Sequence, residues 1–438
     1  MRITMVGTGY VGLVSGACFA DFGHQVTCVD RDSNKISDLQ KFVIPIYEPD
    51  LDRLVTSNAQ AGRLRFATDL ASAVADADAV FIAVGTPSRR GDGHADLSYV
   101  YAAGRQIASA LSGFTVIITK STVPVGTGDE VERIIREENP TADFTVVSNP
   151  EFLREGAAIQ DFKHPDRIVV GTDDERGRKV LSDIYRPLYL NQAPIMFTGR
   201  RTAELIKYAA NAFLATKITF INEIADLAEK VGANVQEVAR GIGLDNRIGS
   251  KFLHAGPGFG GSCFPKDTRA LVKTAQDYDA PMRIAEAVIA VNENRKRAMS
   301  RKVAAQFGGN VRGKTIGILG LTFKPNTDDM RESPSIPLIV ALQDMGAHIR
   351  AYDPAGMQQA SLELPTIEYC KNAYECAANA DAVVIVTEWE EFRALDLNRL
   401  KREMKHPVIV DLRNVYRQDE LNELGFVYES VGRPKNMK

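Results

Sequence analysis

The chain opens on the stretch Arg2-Ile-Thr-Met-Val-Gly-Thr-Gly-Tyr-Val-Gly12, an apolar run that leads directly into three spaced glycines. This is a G-x-G-x-x-G pattern between a predicted strand and a predicted helix. Glycines at these spacings allow a tight turn, close approach of a pyrophosphate and close packing of the helix. The amino terminus of the helix then offers free N–H groups to phosphate. The stretch therefore predicts a dinucleotide site formed by Gly7, Gly9 and Gly12.

A second predicted strand ends at Asp30, 23 residues after Gly7. A carboxylate at this position accepts hydrogen bonds from both ribose hydroxyls and repels a 2′-phosphate. The pattern therefore favours NAD over NADP, although Arg31 next to the carboxylate weakens that preference.

The carboxyl-terminal third repeats the beginning of the chain. Residues 315–320 correspond to residues 2–7, residues 344–353 to residues 21–30, and residues 380–387 to residues 77–84. Three matches in the same order predict an α/β protein with two doubly wound, Rossmann-like domains. The second copy lacks the full glycine pattern, since Leu-Thr-Phe-Lys324 follows Gly320. We expect it to have lost dinucleotide binding and to use Lys324 for another phosphate-bearing ligand.

A long helix is predicted between the two copies. Residues 200–231 contain no glycine or proline, and apolar residues recur there at helical spacings. A helix of this length measures about 45 Å. It should link the two α/β domains and offer apolar surface to a second subunit. Further helix is predicted over 281–307 and a hinge over 308–313, so the expected domains are 1–199, 200–307 and 308–438.

Residues 256–267, Gly-Pro-Gly-Phe-Gly-Gly-Ser-Cys-Phe-Pro-Lys-Asp, place Cys263 in a glycine-dense loop. Such a backbone is expected where the chain turns sharply or approaches another molecule. With Lys266 and Asp267 nearby, the loop favours an activated, nucleophilic thiol over a buried apolar cysteine. The other four cysteines have the pattern of structural residues, and the six scattered histidines predict no metal site.

Composition limits the classes of partner. The chain has 438 residues and a formal charge of −3, which favours neither nucleic acid nor an anionic membrane surface. No apolar run approaches the roughly 20 residues that span a bilayer. The predicted strand at the amino terminus leaves no room for a signal peptide, and the unpaired cysteines favour a reducing compartment. We therefore expect a cytoplasmic enzyme of two or three domains.

Several polar residues lie where ligands are expected. Lys207 and Asn211 are one helical turn apart on one face, although a solvated stripe would have the same spacing. Thr86 and Thr122 each follow a strand-like run, and ligands of open α/β sheets bind at the carboxyl ends of strands. Glu151 and Glu155 follow another such run, where turn or cap roles are the alternative.

These motifs together resemble the UDP-glucose/GDP-mannose dehydrogenase family of nucleotide-sugar dehydrogenases. The resemblance covers essentially the whole chain and is carried by residues 7–12, 85–87, 121–127, 149–153, 204–208, 256–267, 323–324 and 331–333.

The resemblance implies a four-electron reaction in which UDP-glucose, two NAD⁺ and water give UDP-glucuronate and two NADH. Cys263 would form a thiohemiacetal with the intermediate aldehyde and then a thioester. The resemblance implies that Asp267 and Lys207 handle the alcohol proton and stabilise the developing oxyanion, and that Asn211 is a second donor to the oxyanion. It also implies that Thr122 helps to position water and that Glu151 is the base for thioester hydrolysis.

Binding residues are also implied by the resemblance. Those expected to contact NAD are Gly7, Gly9, Tyr10, Val11, Gly12, Asp30, Lys35, Thr86, Thr122, Glu155, Lys266 and Arg331. Those expected to contact the sugar nucleotide are Glu151, Phe152, Leu153, Lys207, Asn211, Phe252, Leu253, Gly260 and Lys324, with Arg247 reaching the substrate of the other subunit of a homodimer.

Other functions stay open at this stage. A two-electron hydroxyacid dehydrogenase would need neither the cysteine loop nor a second α/β copy, and an NAD-binding regulator would reduce no NAD⁺. Within the family, GDP-mannose is a rival substrate. Enzymes for acetamido sugars such as UDP-N-acetylmannosamine tend to have histidine where this chain has Ser262.

Overall fold

The computed structural model describes residues 1–89 and 93–434. These form two compact units. The first unit comprises Met1–Ala210 and Ala270–Ala280, and the second comprises Asn211–Arg269 and the chain from Pro281 onward.

The first unit is an eight-stranded sheet with helices in its connections. Its strands are β1 (Arg2–Val6), β2 (Gln25–Val29), β3 (Leu64–Ala67), β4 (Ala79–Ile82), β5 (Thr115–Thr119), β6 (Phe144–Ser148), β7 (Ile168–Gly171) and β8 (Ile195–Thr198). Its helices are α1 (Tyr10–Asp21), α2 (Ser33–Gln40), α3 (Leu51–Gln60), α4 (Leu70–Ala75), α5 (Ser98–Ala110), α6 (Thr127–Glu138), α7 (Ala158–Lys163) and α8 (Glu175–Tyr185), followed by a 3₁₀ helix (Arg186–Asn191).

The helix α9 (Arg200–Val231) begins in the first unit and continues into the second, and it has the bounds that the sequence predicts. The remaining helices are α10 (Val235–Gly243), α11 (Phe264–Asp277), α12 (Arg283–Ala305), α13 (Ser335–Asp344), α14 (Met357–Glu363), α15 (Ala373–Ala377), α16 (Glu390–Arg393), α17 (Leu397–Glu403) and α18 (Gln418–Glu423). The sheet of the second unit contains β9 (Thr315–Leu319), β10 (His348–Tyr352), β11 (Glu368–Tyr369), β12 (Ala382–Ile385), β13 (Val408–Asp411) and β14 (Val427–Ser430).

Strand order confirms the predicted duplication. The second sheet has the order β11-β10-β9-β12-β13-β14, and the first six strands of the first sheet follow the same path, β3-β2-β1-β4-β5-β6. Both are the 3-2-1-4-5-6 order of a doubly wound sheet. The first sheet adds β7, antiparallel to β6, and β8, which is parallel to β7. The sequence analysis did not anticipate these two strands, because the repeated copy has no counterpart to them.

Alternating side chains of each strand pack on opposite faces of its sheet. In β4, Ala79 and Phe81 join one apolar cluster while Val80 and Ile82 join another. Such strands are apolar on both faces because helices cover both sides of a parallel sheet. The carboxyl ends of the strands, where turns lead to the helices, are therefore the accessible edge for a ligand.

In the described ranges 1–89 and 93–434, no helix combines the length and the apolar character needed to cross a bilayer.

Candidate active site

The glycine-rich turn after β1 forms an open cradle at the amino terminus of α1. Gly7 has φ +99°, and a Cβ there would lie 2.7 Å from the carbonyl oxygen of Ala83. A Cβ on Gly12 would lie 1.9 Å from the carbonyl oxygen of Gly7. At Gly9, by contrast, no heavy atom lies within 4 Å of a Cβ. Gly7 and Gly12 are thus required by the turn itself, while Gly9 leaves space in front of a 12-residue helix where a pyrophosphate fits.

Asp30 lies just after β2 and close to the same turn. Its Oδ2 accepts hydrogen bonds from the backbone N–H of Thr8 (2.9 Å) and from the Thr8 hydroxyl (2.7 Å), and it pairs with Lys35 Nζ at 3.3 Å. Partial burial acts to raise the pKa of Asp30, but the hydrogen bonds from Thr8 and Asp32 and the charge of Lys35 together hold the pKa below its usual value. The carboxylate is therefore ionised at neutral pH, as a ribose acceptor requires.

Tyr10 and Val11, in the first turn of α1, pack against the apolar core of the first unit. The hydroxyl of Tyr10 donates to the buried carboxylate of Glu48, which also accepts from the backbone N–H groups of Gly156 (2.6 Å) and Ala158 (2.7 Å). Glu48 thereby ties the glycine-rich turn to the loop after β6. The sequence analysis missed Glu48, which lies 38 residues from Tyr10.

The structure brings Thr86 and Thr122 together at the ends of the adjacent strands β4 and β5. The hydroxyl of Thr86 donates to the carbonyl oxygen of Thr122 at 2.9 Å. Both residues lie at the carboxyl edge of the sheet, as expected for groups that face a ligand.

Glu151 and Lys207 form a buried ion pair in the first unit. Lys207 Nζ lies 3.1 Å from Glu151 Oε1, and the two side chains are 4% and 5% exposed. The backbone N–H of Leu153 donates to Glu151 Oε2 at 2.5 Å, and Lys207 Nζ lies 5.3 Å from the centre of the Phe152 ring. Glu155 is half-buried two residues beyond Leu153. A buried carboxylate and ammonium held this close can exchange a proton with a ligand or a water molecule.

The cysteine loop of the second unit needs its glycines for close packing. A Cβ on Gly260 would lie 2.3 Å from the carbonyl oxygen of Glu332, and one on Gly261 would lie 2.7 Å from the Phe323 ring. The N–H of Gly261 donates to the carbonyl oxygen of Arg331 at 2.8 Å. This packing holds Cys263 immediately before α11 with a partly exposed side chain, whereas the other four cysteines are buried.

Asp267, in the first turn of α11, is buried and contacts two predicted site residues. Asn211 Nδ2 donates to its Oδ2 at 2.7 Å, and Lys266 Nζ lies 2.5 Å from its Oδ1. The structure thus brings together Asn211, Lys266 and Asp267, next to Cys263 in the chain.

A cavity of about 460 Å³ lies in the second unit, and Leu253 is one of its lining residues. Its size falls within the range of small-molecule sites. It is lined by Val235, Gln236, Ala239, Arg240, Ser250, Lys251, Leu253, His254, Ala255, Arg413 and Asn414. Phe252 has φ +65°, and the centre of its ring lies 6.0 Å from that of Phe264.

Arg413 joins this cavity to the region of Lys324. Its guanidinium donates to the carbonyl oxygen of Phe323 at 3.2 Å, and Lys324 Nζ lies 5.1 Å from the centre of the Phe323 ring. The sequence analysis missed Arg413, and the only available signal was its position just after β13, at the carboxyl edge of the second sheet.

The guanidinium groups of two further predicted contact residues pair with neighbouring carboxylates. Arg331 pairs with Asp329 at 2.8 Å. Arg247 pairs with Asp245 at 2.6 Å and keeps 89% of its side chain exposed. An exposed guanidinium of this kind is available to another molecule.

Comparison with known proteins covers all three parts of the chain. Residues 1–189 match the NAD binding domain of the UDP-glucose/GDP-mannose dehydrogenase family, residues 201–294 match its central domain, and residues 317–418 match its UDP binding domain. NAD is accordingly the cofactor.

Individual relatives extend over the full length. A UDP-glucose 6-dehydrogenase of Rhizobium meliloti (strain 1021) is 70% identical over 99% of this chain and 100% of its own. The UDP-glucose 6-dehydrogenase TuaD of Bacillus subtilis (strain 168) is 48% identical over 99% of this chain and 93% of its own. A solved UDP-glucose dehydrogenase from Pyrobaculum islandicum is 39% identical with a TM-score of 0.90, covering 98% of this chain and 97% of that one. The chain belongs to the UDP-glucose/GDP-mannose dehydrogenase family.

Proposed function

We propose that this protein oxidises the C6 alcohol of UDP-glucose to the carboxylate of UDP-glucuronate. The 70% identity with the Rhizobium meliloti enzyme over the whole chain carries this proposal. The partly exposed Cys263 supports the four-electron course, because an aldehyde has no second hydride to release until a nucleophile adds to it. Ser262 before the cysteine argues against an acetamido sugar.

NAD⁺, when bound, accepts one hydride in each of the two oxidations. Gly9 leaves room for its pyrophosphate, and Asp30 accepts from its ribose hydroxyls while Lys35 holds that carboxylate in place. The other residues proposed to contact NAD are Gly7, Tyr10, Val11, Gly12, Thr86, Thr122, Glu155, Lys266 and Arg331.

In the first oxidation, Asp267, Lys207 and Asn211 act on the C6 hydroxyl group of UDP-glucose. Asp267 takes up the alcohol proton through an ordered water, and its contacts with Asn211 and Lys266 hold the carboxylate in orientation. Lys207 and Asn211 donate to the oxygen as negative charge develops on it.

In the second oxidation, the thiolate of Cys263 adds to the aldehyde and forms an S–C6 bond. Loss of hydride from this thiohemiacetal leaves a thioester. Glu151 then accepts a proton from a water positioned by Thr122, the water oxygen bonds to C6, and the S–C6 bond breaks. The products are the thiolate of Cys263 and the carboxylic acid, which releases its remaining proton to solvent and becomes the carboxylate.

Substrate binding is proposed to use both charged and apolar contacts. The cavity beside Leu253 is suited to the nucleoside, and Arg413 and Lys324 offer cations to the diphosphate. Phe152, Leu153, Phe252 and Gly260 complete the proposed contacts.

The proposed assembly is a homodimer in which Arg247 reaches the substrate of the partner. Its exposed guanidinium supports this, as do the apolar side chains that α9 leaves at least half exposed, Phe213, Phe220, Leu227 and Val231. We propose three functional domains, 1–199 for NAD, 200–307 for dimerisation and 308–438 for the sugar nucleotide, and a cytoplasmic location.

The substrate is tested by measuring NADH formed per mole of each sugar nucleotide. UDP-glucose should yield two NADH, with a catalytic efficiency at least about a hundredfold above that for GDP-mannose or UDP-N-acetylglucosamine. A higher efficiency with either rival would overturn the substrate assignment. A yield of one NADH would overturn the four-electron course.

A further inference from the structure

Lys120 is a fully buried cation that none of the steps above uses. It follows β5, and its backbone N–H donates to the carbonyl oxygen of Ile82 at 2.9 Å. Its side chain is directed into the first unit, where Nζ donates to Asn149 Oδ1 and to the hydroxyl of Tyr185, both at 3.1 Å. Burial of a lysine is costly, so the charge at this position calls for a reason beyond packing.

The ammonium of Lys120 completes a closed network around Asn149. The hydroxyl of Tyr185 also donates to Asn149 Oδ1 at 2.7 Å, and Asn149 Nδ2 donates to the carbonyl oxygen of Val169 at 2.7 Å. The backbone N–H of Asn149 donates to the carbonyl oxygen of Thr119 at 3.0 Å. Both ends of the Asn149 side chain and its backbone are thus fixed, and Glu151 follows only two residues later.

The charge of Lys120 also acts on the Glu151–Lys207 pair. Burial lowers the pKa of Lys120 to about 8, with attraction by Glu151 acting to raise it and repulsion by Lys207 acting in the same direction as burial. The aromatic rings of Phe162 and Tyr185 lie within 6 Å of its Nζ and favour the cation. Lys120 is therefore mainly protonated at neutral pH.

We propose that Lys120 is a positioning residue for Glu151. By fixing Asn149 it sets the carboxylate of Glu151 against Lys207, in the position from which that carboxylate takes a proton from the hydrolytic water. This inference rests on the role of Glu151 in the proposed function. It predicts that loss of Lys120 slows release of the thioester more than it weakens substrate binding.

The test compares Lys120→Met with Glu151→Gln during turnover of UDP-glucose with NAD⁺. Both variants should accumulate an adduct on Cys263 with the mass of one UDP-glucuronyl group, seen by intact-protein mass spectrometry and localised by peptide mapping. Lys120→Met should lower kcat at least about tenfold while KM for UDP-glucose changes less than about threefold. The matched control is Lys179→Met, a change at an exposed lysine of the same unit, which should leave kcat unaltered and trap no adduct.

The outcomes separate the two proposals. If Glu151→Gln traps the adduct and Lys120→Met does not, the inference about Lys120 is wrong and the function of Glu151 stands. If neither variant traps it, the role of Glu151 fails and the inference fails with it. Should circular dichroism find Lys120→Met unfolded, Tyr185→Phe replaces it, because it removes the hydroxyl from the network and keeps the ring. Wild-type turnover by folded Tyr185→Phe, without adduct, would then overturn the inference.

Discussion

Cys263 differs from the other four cysteines in its surroundings. Burial raises the pKa of both Cys18 and Cys28 to about 12, so these thiols stay protonated at neutral pH. Cys263 is partly exposed, lies at the start of α11 and is followed by Lys266. Nucleophilic chemistry needs access as well as thiolate, and of the five cysteines Cys263 has that access.

We expect Cys263→Ser to lose net turnover while NAD binding persists, because the thiol enters only after the first hydride has left. Turnover is measured as NADH production, and binding by titration with NADH fluorescence. Iodoacetamide should label Cys263 before the four buried cysteines, which serve as internal controls. A serine variant that still yields two NADH at the wild-type rate would contradict covalent catalysis.

At the scale of elements, helix α9 presents three polar side chains at successive turns, and each has a separate partner. Glu204 accepts from the backbone N–H groups of Gly126 (2.6 Å) and Gly128 (2.8 Å) and from Ser148. Lys207 pairs with Glu151, and Asn211 donates to Asp267. The stripe is therefore not a solvated face. Glu204 anchors the helix to the start of α6, and the other two each contact a second predicted site residue.

The glycine-rich turn allows a matched pair of substitutions. Gly9→Ala should leave the free energy of unfolding within about 0.5 kcal/mol of the wild type, because the new methyl group meets no protein atom. It should weaken NAD binding at least about tenfold, because the methyl group projects into the space in front of α1 where the pyrophosphate is proposed to bind. Gly12→Ala should lower the free energy of unfolding by about 2 kcal/mol or more, because its methyl group meets the backbone of Gly7. Urea unfolding and NADH titration measure the two effects. Equal losses of stability in both variants would refute this division of roles.

Glu204 predicts a pH dependence of stability. Burial raises its pKa, although the hydrogen bonds from Gly126 and Gly128 act against that shift. The folded chain then binds the Glu204 proton more tightly than the unfolded chain, so this contribution to stability is lost as pH rises above about 4.3. The free energy of unfolding of the wild type, relative to Glu204→Gln, should fall between pH 4 and pH 7.

Urea unfolding across this pH range measures the difference in free energy of unfolding between the wild type and Glu204→Gln. The control is Glu223→Gln, a change at an exposed position of the same helix. A difference that rises with pH for Glu204→Gln would show that the hydrogen bonds outweigh burial at this site.

At the scale of the whole molecule, the duplicated sheets have diverged at one equivalent position. Asp30 and Asp353 both follow the second strand of their units. The carboxylate of Asp353 is buried and accepts from the N–H groups of Leu321, Thr322, Ala355 and Gly356, from the Thr322 hydroxyl and from Trp389 Nε1. With its oxygens so fully engaged by the protein, Asp353 has no capacity for a ribose. We therefore expect the second unit to keep the fold without a dinucleotide site.

The proposed dimer predicts complementation between two inactive variants. Arg247→Ala should weaken binding of UDP-glucose far more than binding of NAD, since the proposal has this exposed guanidinium contact the partner's substrate. Mixed with Cys263→Ser, it should regain activity, because one subunit of a mixed dimer has its own cysteine and receives the partner's arginine. Each variant alone is the control, and subunit exchange is verified by mass. Exchange without recovered activity would refute the shared site.

Short sequence patterns were enough to predict much of this architecture. The glycine-rich turn, the uninterrupted helix α9, the repeated strand segments and the cysteine loop each occupy contiguous residues. Backbone freedom at glycine and the apolar periods of helix and strand act within such short stretches, so they can be recognised without knowledge of the fold.

Contacts between residues that are distant in the chain could be identified only from the folded structure. Glu48 meets Tyr10 across 38 residues, Lys120 meets Tyr185 across 65, and Arg413 meets Phe323 across 90. Their pairing arises because parallel strands bring their carboxyl ends to one edge, and buried polar groups there must find donors and acceptors. No periodicity marks such residues in advance. Which glutamate or lysine serves the site and which supports it is therefore a property of the folded chain.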